Sequence, residues 1–339
     1  MPPLAPLRAA CGRATSAGMT ADTALTLWHW CAALLGLAAN AAATLPLMAA
    51  LALLLGRRGH ASICLRGAGA LAGLGLWLAA AWPALVVGDA LVQLSLAGAA
   101  SAVARLAAFF TPAGMGISLS VAAWCAGFGC AWLGRRASLQ KAASLPLGVD
   151  SYSVRDIRVP LAALLAAAAC ALAAFTLRNW PFAGLPPGMD AWRVAGAVGK
   201  YAFRTYFAAF ACGGAAGLLL AMRAARRGFL HGPFTVAEAA GGVRWCAAWA
   251  LAGSVPQLLE RWGLALGLWL RGGGAAVPGN PHAGMFQLAA LVTFTLAAAA
   301  WALLLVRREP MRQWALAPAG LGLLVLSLSA PWALALIVR

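Results

Sequence analysis

Ionisable residues are rare within the apolar stretches of this 339-residue chain, and those few are the candidates for chemistry. An ionisable side chain inside a bilayer is costly, so it usually faces a ligand, a water-filled cavity or a proton path. These residues occur near tryptophans and near prolines that kink helices. Together they favour a polar pocket close to one membrane face, of the kind that binds a quinone. The predicted ligand-binding residues are His29, Trp82, Asp89, Arg105, Glu260 and Arg261.

Other cofactor chemistry finds little support in the sequence. A haem held by two histidines needs them at similar depth on facing helices, and of the four histidines only His29 falls within an apolar helix. The chain has no HExxH, no Cys-His cluster, no phosphate-binding GxxxxGK[ST] and no GxSxG. We therefore predict no metal site, no haem, no catalytic residue and no covalently bound cofactor, and a quinone is one candidate ligand.

The composition identifies the elements that must position these residues. Sixty-three per cent of the chain is hydrophobic and 10% is charged, whereas a soluble domain has about 25% charged residues. About twenty apolar residues are needed to cross roughly 30 Å of hydrocarbon, and all backbone groups in lipid must be paired within the segment. The sequence predicts an all-α polytopic membrane protein with eight spans, at 27–55, 67–88, 113–134, 159–178, 201–222, 245–270, 284–306 and 314–337.

The basic residues that give the net charge of +17 are clustered between apolar segments, where they indicate the orientation of the chain in the membrane. Arginine pairs end the four odd-numbered spans, at 57–58, 135–136, 226–227 and 307–308. Because cytoplasmic loops are enriched in Lys and Arg, these loops are predicted to be cytoplasmic and both termini extracytoplasmic. The bilayer of the inner (cytoplasmic) membrane is thus the predicted partner, and nucleic acid is not.

Two segments leave alternatives open. Residues 89–112 are long enough for a ninth span, but Gln93 and Arg105 favour a helix lying at the interface. Residues 1–23 are predicted to be an unstructured N-terminal tail, with Met19 as a possible translation start.

Spacing predicts an internal duplication. Arg57 and Arg226 are 169 residues apart, and Arg135 and Arg307 are 172 apart. We predict two four-helix halves in parallel orientation, at 24–178 and 199–339, joined by an outer linker at 179–198. The even spans each carry a proline in their outer half, at Pro83, Pro181, Pro256 and Pro331; such prolines kink helices and open space beside them.

This architecture resembles the polysulfide-reductase/DMSO-reductase membrane-anchor family, whose two four-helix halves and external termini match most of the chain. The resemblance implies quinone chemistry near the outer face, coupled to an extracytoplasmic iron–sulfur or other redox subunit. Two other interpretations remain open at this point. One is a transporter or permease for a small hydrophobic or lipidic solute, since duplication and broken helices are typical of transporters. The other is a structural or assembly subunit.

Overall fold

Helices make up nearly all of the part of the chain that the structure describes. This computed structural model describes residues 17–56, 61–85, 88, 111–145, 151–181, 190–231, 236–270 and 281–337. Within these ranges the long helices are α1 Ala17–Leu55, α2 Ala61–Ala79, α3 Pro112–Ser144, α4 Val154–Asn179, α5 Ala191–His231, α6 Val236–Leu270, α7 Pro281–Val306 and α8 Leu316–Ile337. A short 3₁₀ helix, Pro310–Gln313, joins α7 to α8.

The prediction of a polytopic helical membrane protein is confirmed. Each of the eight predicted spans coincides with one of these helices, and the helical run of α2 resumes at residues 81–85 after a turn at residue 80. Six helices, α1 to α5 and α7, are long and apolar enough to cross a membrane. In α8 the described apolar stretch is the shorter Leu316–Ser327, and α6 carries the charged pair Glu260 and Arg261.

Several helices extend beyond the predicted boundaries. Part of the predicted tail 1–23 is helical, because α1 begins at Ala17. Likewise α5 begins at Ala191, inside the predicted linker 179–198. The Oδ1 atom of Asp190 accepts a hydrogen bond of 2.7 Å from the backbone N–H of Arg193 and so caps the start of α5. Hydropathy marks only the apolar part of a helix, so polar first turns were missed.

Pro181 was also misplaced, since it follows the end of α4 at Asn179. Proline disfavours helical backbone angles at the residue before it. Trp180 accordingly has extended backbone angles, with φ −75° and ψ 132°.

Neighbouring helices run antiparallel, which fixes the topology on either side of the segment 89–112. Gly69 and Gly73 of α2 lie against Leu139 and Arg135 of α3, so the chain directions are opposite. Residue 85 and residue 111 are therefore at the same end of the bundle. Residues 89–110 themselves lie outside the described residues, and their interfacial placement stays a prediction.

Helix contacts close two rings that meet at α1 and α5. In the first ring α1 contacts α2 and α4, and α3 lies between them; in the second α5 contacts α6 and α8. At the junction the Oγ1 atom of Thr44 in α1 donates to the carbonyl of Ala209 in α5, at 3.4 Å. Thr44 also lies against Gly213, which is 169 residues further along the chain, the predicted repeat spacing. The division into two parallel halves remains a prediction that these contacts fit.

Glycine allows the closest helix approach, between α5 and α6. A Cβ atom at Gly214 would overlap the backbone of Ala250, and one at Gly253 would overlap the backbone of Ala211. Lipid tails give helices no hydrophobic reason to associate, so close packing across small residues is what holds them together. By contrast, a Cβ at Gly129 of α3 would meet nothing within 4 Å.

We expect Gly214→Ala to destabilise the protein by about 1–3 kcal/mol, the usual cost of overpacking a rigid contact. The thermal unfolding midpoint in detergent should fall, and Gly253→Ala should behave alike. Gly129→Ala is the matched control: it should leave the midpoint unchanged or raise it, because alanine is the better helix former. Equal midpoints for the Gly214 and Gly129 variants would contradict the α5–α6 contact.

Candidate functional site

Pro83 leaves one backbone carbonyl of α2 without its helical hydrogen bond, and a tryptophan of the next helix donates to that carbonyl instead. Proline has no backbone N–H, so the carbonyl of Ala79, four residues earlier, loses its helical partner. The Nε1 atom of Trp124 in α3 donates to that carbonyl at 3.1 Å. The kink in α2 and the orientation of Trp124 are thus coupled through a buried hydrogen bond.

Trp82 lies beside this bond and has an unused donor. Its ring stacks on Trp124, with centroids 5.6 Å apart and planes at 28°. The guanidinium carbon of Arg178, in α4, lies 4.7 Å from the centroid of the same ring. Trp82 is only 8% exposed, and among the described residues its Nε1 atom has no hydrogen-bond partner. Buried donors are normally paired, so this N–H is a candidate contact for a ligand.

A second polar group lies on α5 and α6. Glu260 forms an ion pair with Arg204, and the guanidinium of the neighbouring Arg261 lies 5.1 Å from the ring centroid of Phe294. One turn before Glu260, the side-chain amide of Gln257 donates to the carbonyls of Ala208 at 3.3 Å and Gly253 at 2.8 Å. The pair Arg204–Glu260 is exposed on the surface of the bundle.

An aromatic row connects the two groups at one end of the bundle. Phe175, one turn before Arg178 on α4, makes an edge contact with Tyr206 at 6.2 Å between centroids. Tyr206 in turn contacts Phe210 at 5.6 Å. Within the described part of the chain, the buried hydroxyl of Tyr206 also lacks a hydrogen-bond partner. Two unused donors, from Trp82 and Tyr206, therefore lie at the end of the bundle where α2 and α4 end and α5 begins.

The predicted site is placed in part. Trp82, Glu260 and Arg261 lie at this same end, but Trp82 belongs to the first ring and the other two to the second. Asp89 and Arg105 are outside the described residues, and so is the side chain of His29. The neighbouring Trp28 packs against Gly88, so α1 lies, at Trp28, beside the chain that leaves α2.

Three residues of this region were missed in the sequence: Arg178, Arg204 and Tyr206. Arg204 and Tyr206 fall within the predicted span 201–222, and an arginine inside an apolar span is itself a signal of a partner or ligand. Tyr206 is one of only three tyrosines in the chain. Their pairing with Glu260 and Phe175 depends on which helices are neighbours, which hydropathy does not reveal.

A small cavity among α1 to α4 does not extend the site. Its volume is about 20 Å³, about enough for one water molecule. Alanine, glycine and aromatic side chains line it, including Gly75, Trp124 and Phe128. This cavity is too small for a planar ligand ring.

Comparison of the chain with protein-family models, with curated proteins and with solved structures finds no match. The resemblance to reductase membrane anchors therefore stays a prediction from the sequence. The function of the protein then rests on the chemistry of its own side chains.

The two stacked tryptophans should respond differently to removal of the indole N–H. Trp82→Phe removes an unpaired donor and should leave the unfolding midpoint unchanged or slightly higher. Trp124→Phe leaves the Ala79 carbonyl buried without a partner, which costs about 1–3 kcal/mol. Thermal unfolding of both variants in the same detergent tests this, and a larger loss for the Trp82 variant would show that its N–H is already bonded within the protein.

Proposed function

We propose that this protein is a quinone-interacting membrane anchor of a multi-subunit redox complex. The observation that supports it best is the buried N–H of Trp82, which has no hydrogen-bond partner among the described residues and lies beside Trp124 and Arg178. A quinone has a flat ring and two carbonyl oxygens, so it needs aromatic walls and hydrogen-bond donors, and it takes up two electrons and two protons when it is reduced.

The side chains near Trp82 fit those needs. The indole N–H of Trp82 donates to one carbonyl oxygen and orients the ring against the tryptophan pair. The positive charge of Arg178 favours the electron-rich, reduced ligand. Glu260, ion-paired with Arg204 at the same end of the bundle, is a carboxylate able to exchange protons with water at the membrane surface. Burial of Trp82 keeps water from its donor.

The interior of the described helices is poorly suited to a hydrophilic substrate. Its buried polar side chains are Thr44, Ser120, Ser138, Ser254 and Ser327. All but Ser138 donate to backbone carbonyls, which is how hydroxyls are satisfied within membrane helices. A ligand that enters from the lipid, as a quinone does, needs no polar path through the bundle.

The end of the bundle that carries Trp82 also has a surface suited to a partner subunit. Arg226, at the opposite end of α5, is 34 residues from Trp192, or about 51 Å along a helix. Hydrocarbon is only about 30 Å thick, so the start of α5 projects beyond it. Trp192 is 86% exposed there, and Leu270 at the end of α6 is 69% exposed. Large apolar side chains outside the lipid are typical of protein interfaces, and the resemblance to reductase anchors makes the partner an iron–sulfur or similar redox subunit.

A quinone-binding measurement tests the site directly. The Kd of a radiolabelled short-chain quinone, for protein in nanodiscs, should rise about five- to tenfold in Trp82→Phe, the effect of losing one buried hydrogen bond. Trp245→Phe is the matched control. Among the described residues the Nε1 atom of Trp245 is also buried without a hydrogen-bond partner, but Trp245 lies in the half of α6 that is at the end of the bundle opposite Trp82. Equal binding by both variants, or no saturable binding by the wild type, would argue against a quinone site and favour a transporter or assembly role.

Co-purification tests the anchor role. Extraction of the tagged protein in mild detergent should recover a redox subunit in stoichiometric amount, identified by mass spectrometry. Trp192→Ser should reduce that recovery, since it removes apolar surface at the projecting end. Trp132→Ser, at a 44% exposed tryptophan near the other end of α3, should not. A lone protein in the wild-type preparation would count against the proposal.

A further inference from the structure

The end of the bundle opposite Trp82 carries a concentration of arginine. Among the residues whose side chains the structure describes, six arginines of the second ring lie at this end: Arg223, Arg226, Arg244, Arg307, Arg308 and Arg312. Only one acidic side chain described there, Glu309, balances them, and it is paired with Arg312.

Two of these arginines have structural partners. The guanidinium of Arg244 donates to the carbonyls of Arg307 at 3.1 Å and Arg308 at 3.0 Å, which caps the end of α7. Arg312 is held by Glu309. For Arg223 and Arg226, no acidic group of the described residues lies within 4.0 Å.

Arg226 is nevertheless held in a defined position. Its guanidinium carbon lies 4.1 Å from the ring centroid of Trp314, at the start of α8. Stacking uses the face of the guanidinium and leaves its N–H groups at the edge, where they can donate to two oxygens of one phosphate. Arg223 is one turn earlier on the same face of α5 and is also exposed.

The depth of this group matches a lipid phosphate. Trp314 is 49% exposed, and tryptophan half-exposed at a helix end is typical of the level of the headgroups. Arg226 lies 20 residues from Tyr206 on α5, so the two are separated by about one hydrocarbon thickness.

We propose that Arg223, Arg226 and Trp314 form a binding site for the phosphate of an anionic phospholipid, between α5 and the start of α8. A zwitterionic lipid has the same phosphate, but its ammonium group cancels the attraction. This site is independent of the quinone site, because it lies at the other end of the bundle and uses different residues.

Native mass spectrometry of the detergent-solubilised protein tests the proposal, with phosphatidylglycerol and phosphatidylcholine of the same acyl chains. The wild type should retain phosphatidylglycerol preferentially. Arg223→Gln/Arg226→Gln should reduce that preference by about fivefold for each arginine removed, the usual effect of one basic side chain near an anionic surface. Arg193→Gln/Lys200→Gln, at the opposite end of α5, is the matched control and should keep the wild-type preference.

Two further measurements keep the test decisive if the double variant is unstable. Retention by the wild type should weaken as salt is raised, because the attraction is electrostatic. Millimolar inorganic phosphate should not displace the lipid. Equal retention of the two lipids, salt-independent retention, a double variant that behaves as the wild type, or displacement by free phosphate would each overturn the assignment to an anionic lipid.

Discussion

The contact between α1 and α5 is the constraint on which the rest of the fold depends. Thr44 reaches the carbonyl of Ala209 only because Gly213 has no side chain in its way. α1 also contacts α2 and α4, and α5 contacts α6 and α8, so each ring is built on one of these two helices. In lipid, such close packing replaces the hydrophobic effect as the source of association, which explains why a residue as small as Gly213 lies where α1 and α5 meet.

Proline has a second organising effect, through the carbonyls that it leaves without a helical partner. At Pro83 the freed carbonyl of Ala79 orients Trp124, and Trp124 in turn stacks on Trp82. One backbone defect in α2 thereby places two indole rings side by side, with the guanidinium of Arg178 next to them. The candidate site is therefore a consequence of helix geometry in α2 rather than of a local binding motif, which is consistent with the lack of any recognisable motif in the sequence.

The existence of eight helices could be predicted because apolar length and charge are local properties of a sequence. Helix ends were predicted less well: the starts at Ala17 and Ala191 depend on polar first turns, and Asp190 acts as a cap without changing the hydropathy. Trp82 and Glu260 were identified as candidates from their neighbours in sequence. Arg178 and Arg204 could not be, since Arg178 reaches Trp82 from α4 and Arg204 pairs with Glu260 because α5 lies beside α6. Both arrangements are set by contacts between residues far apart in the chain.

The two ends of the bundle differ in how their arginines are used, and this difference follows from what surrounds them. At the Trp82 end, Arg178 and Arg261 lie over aromatic rings, and Arg204 is paired with the carboxylate of Glu260 at the surface of the bundle. At the opposite end, Arg226 stacks on a half-exposed tryptophan and has its donors at the surface. A charge can be held inside a membrane protein only if a partner or ligand compensates it, whereas at the headgroup level the lipid itself supplies the compensation. The two proposals thus give the same residue type two roles, beside a ligand at one end of the bundle and against a lipid phosphate at the other.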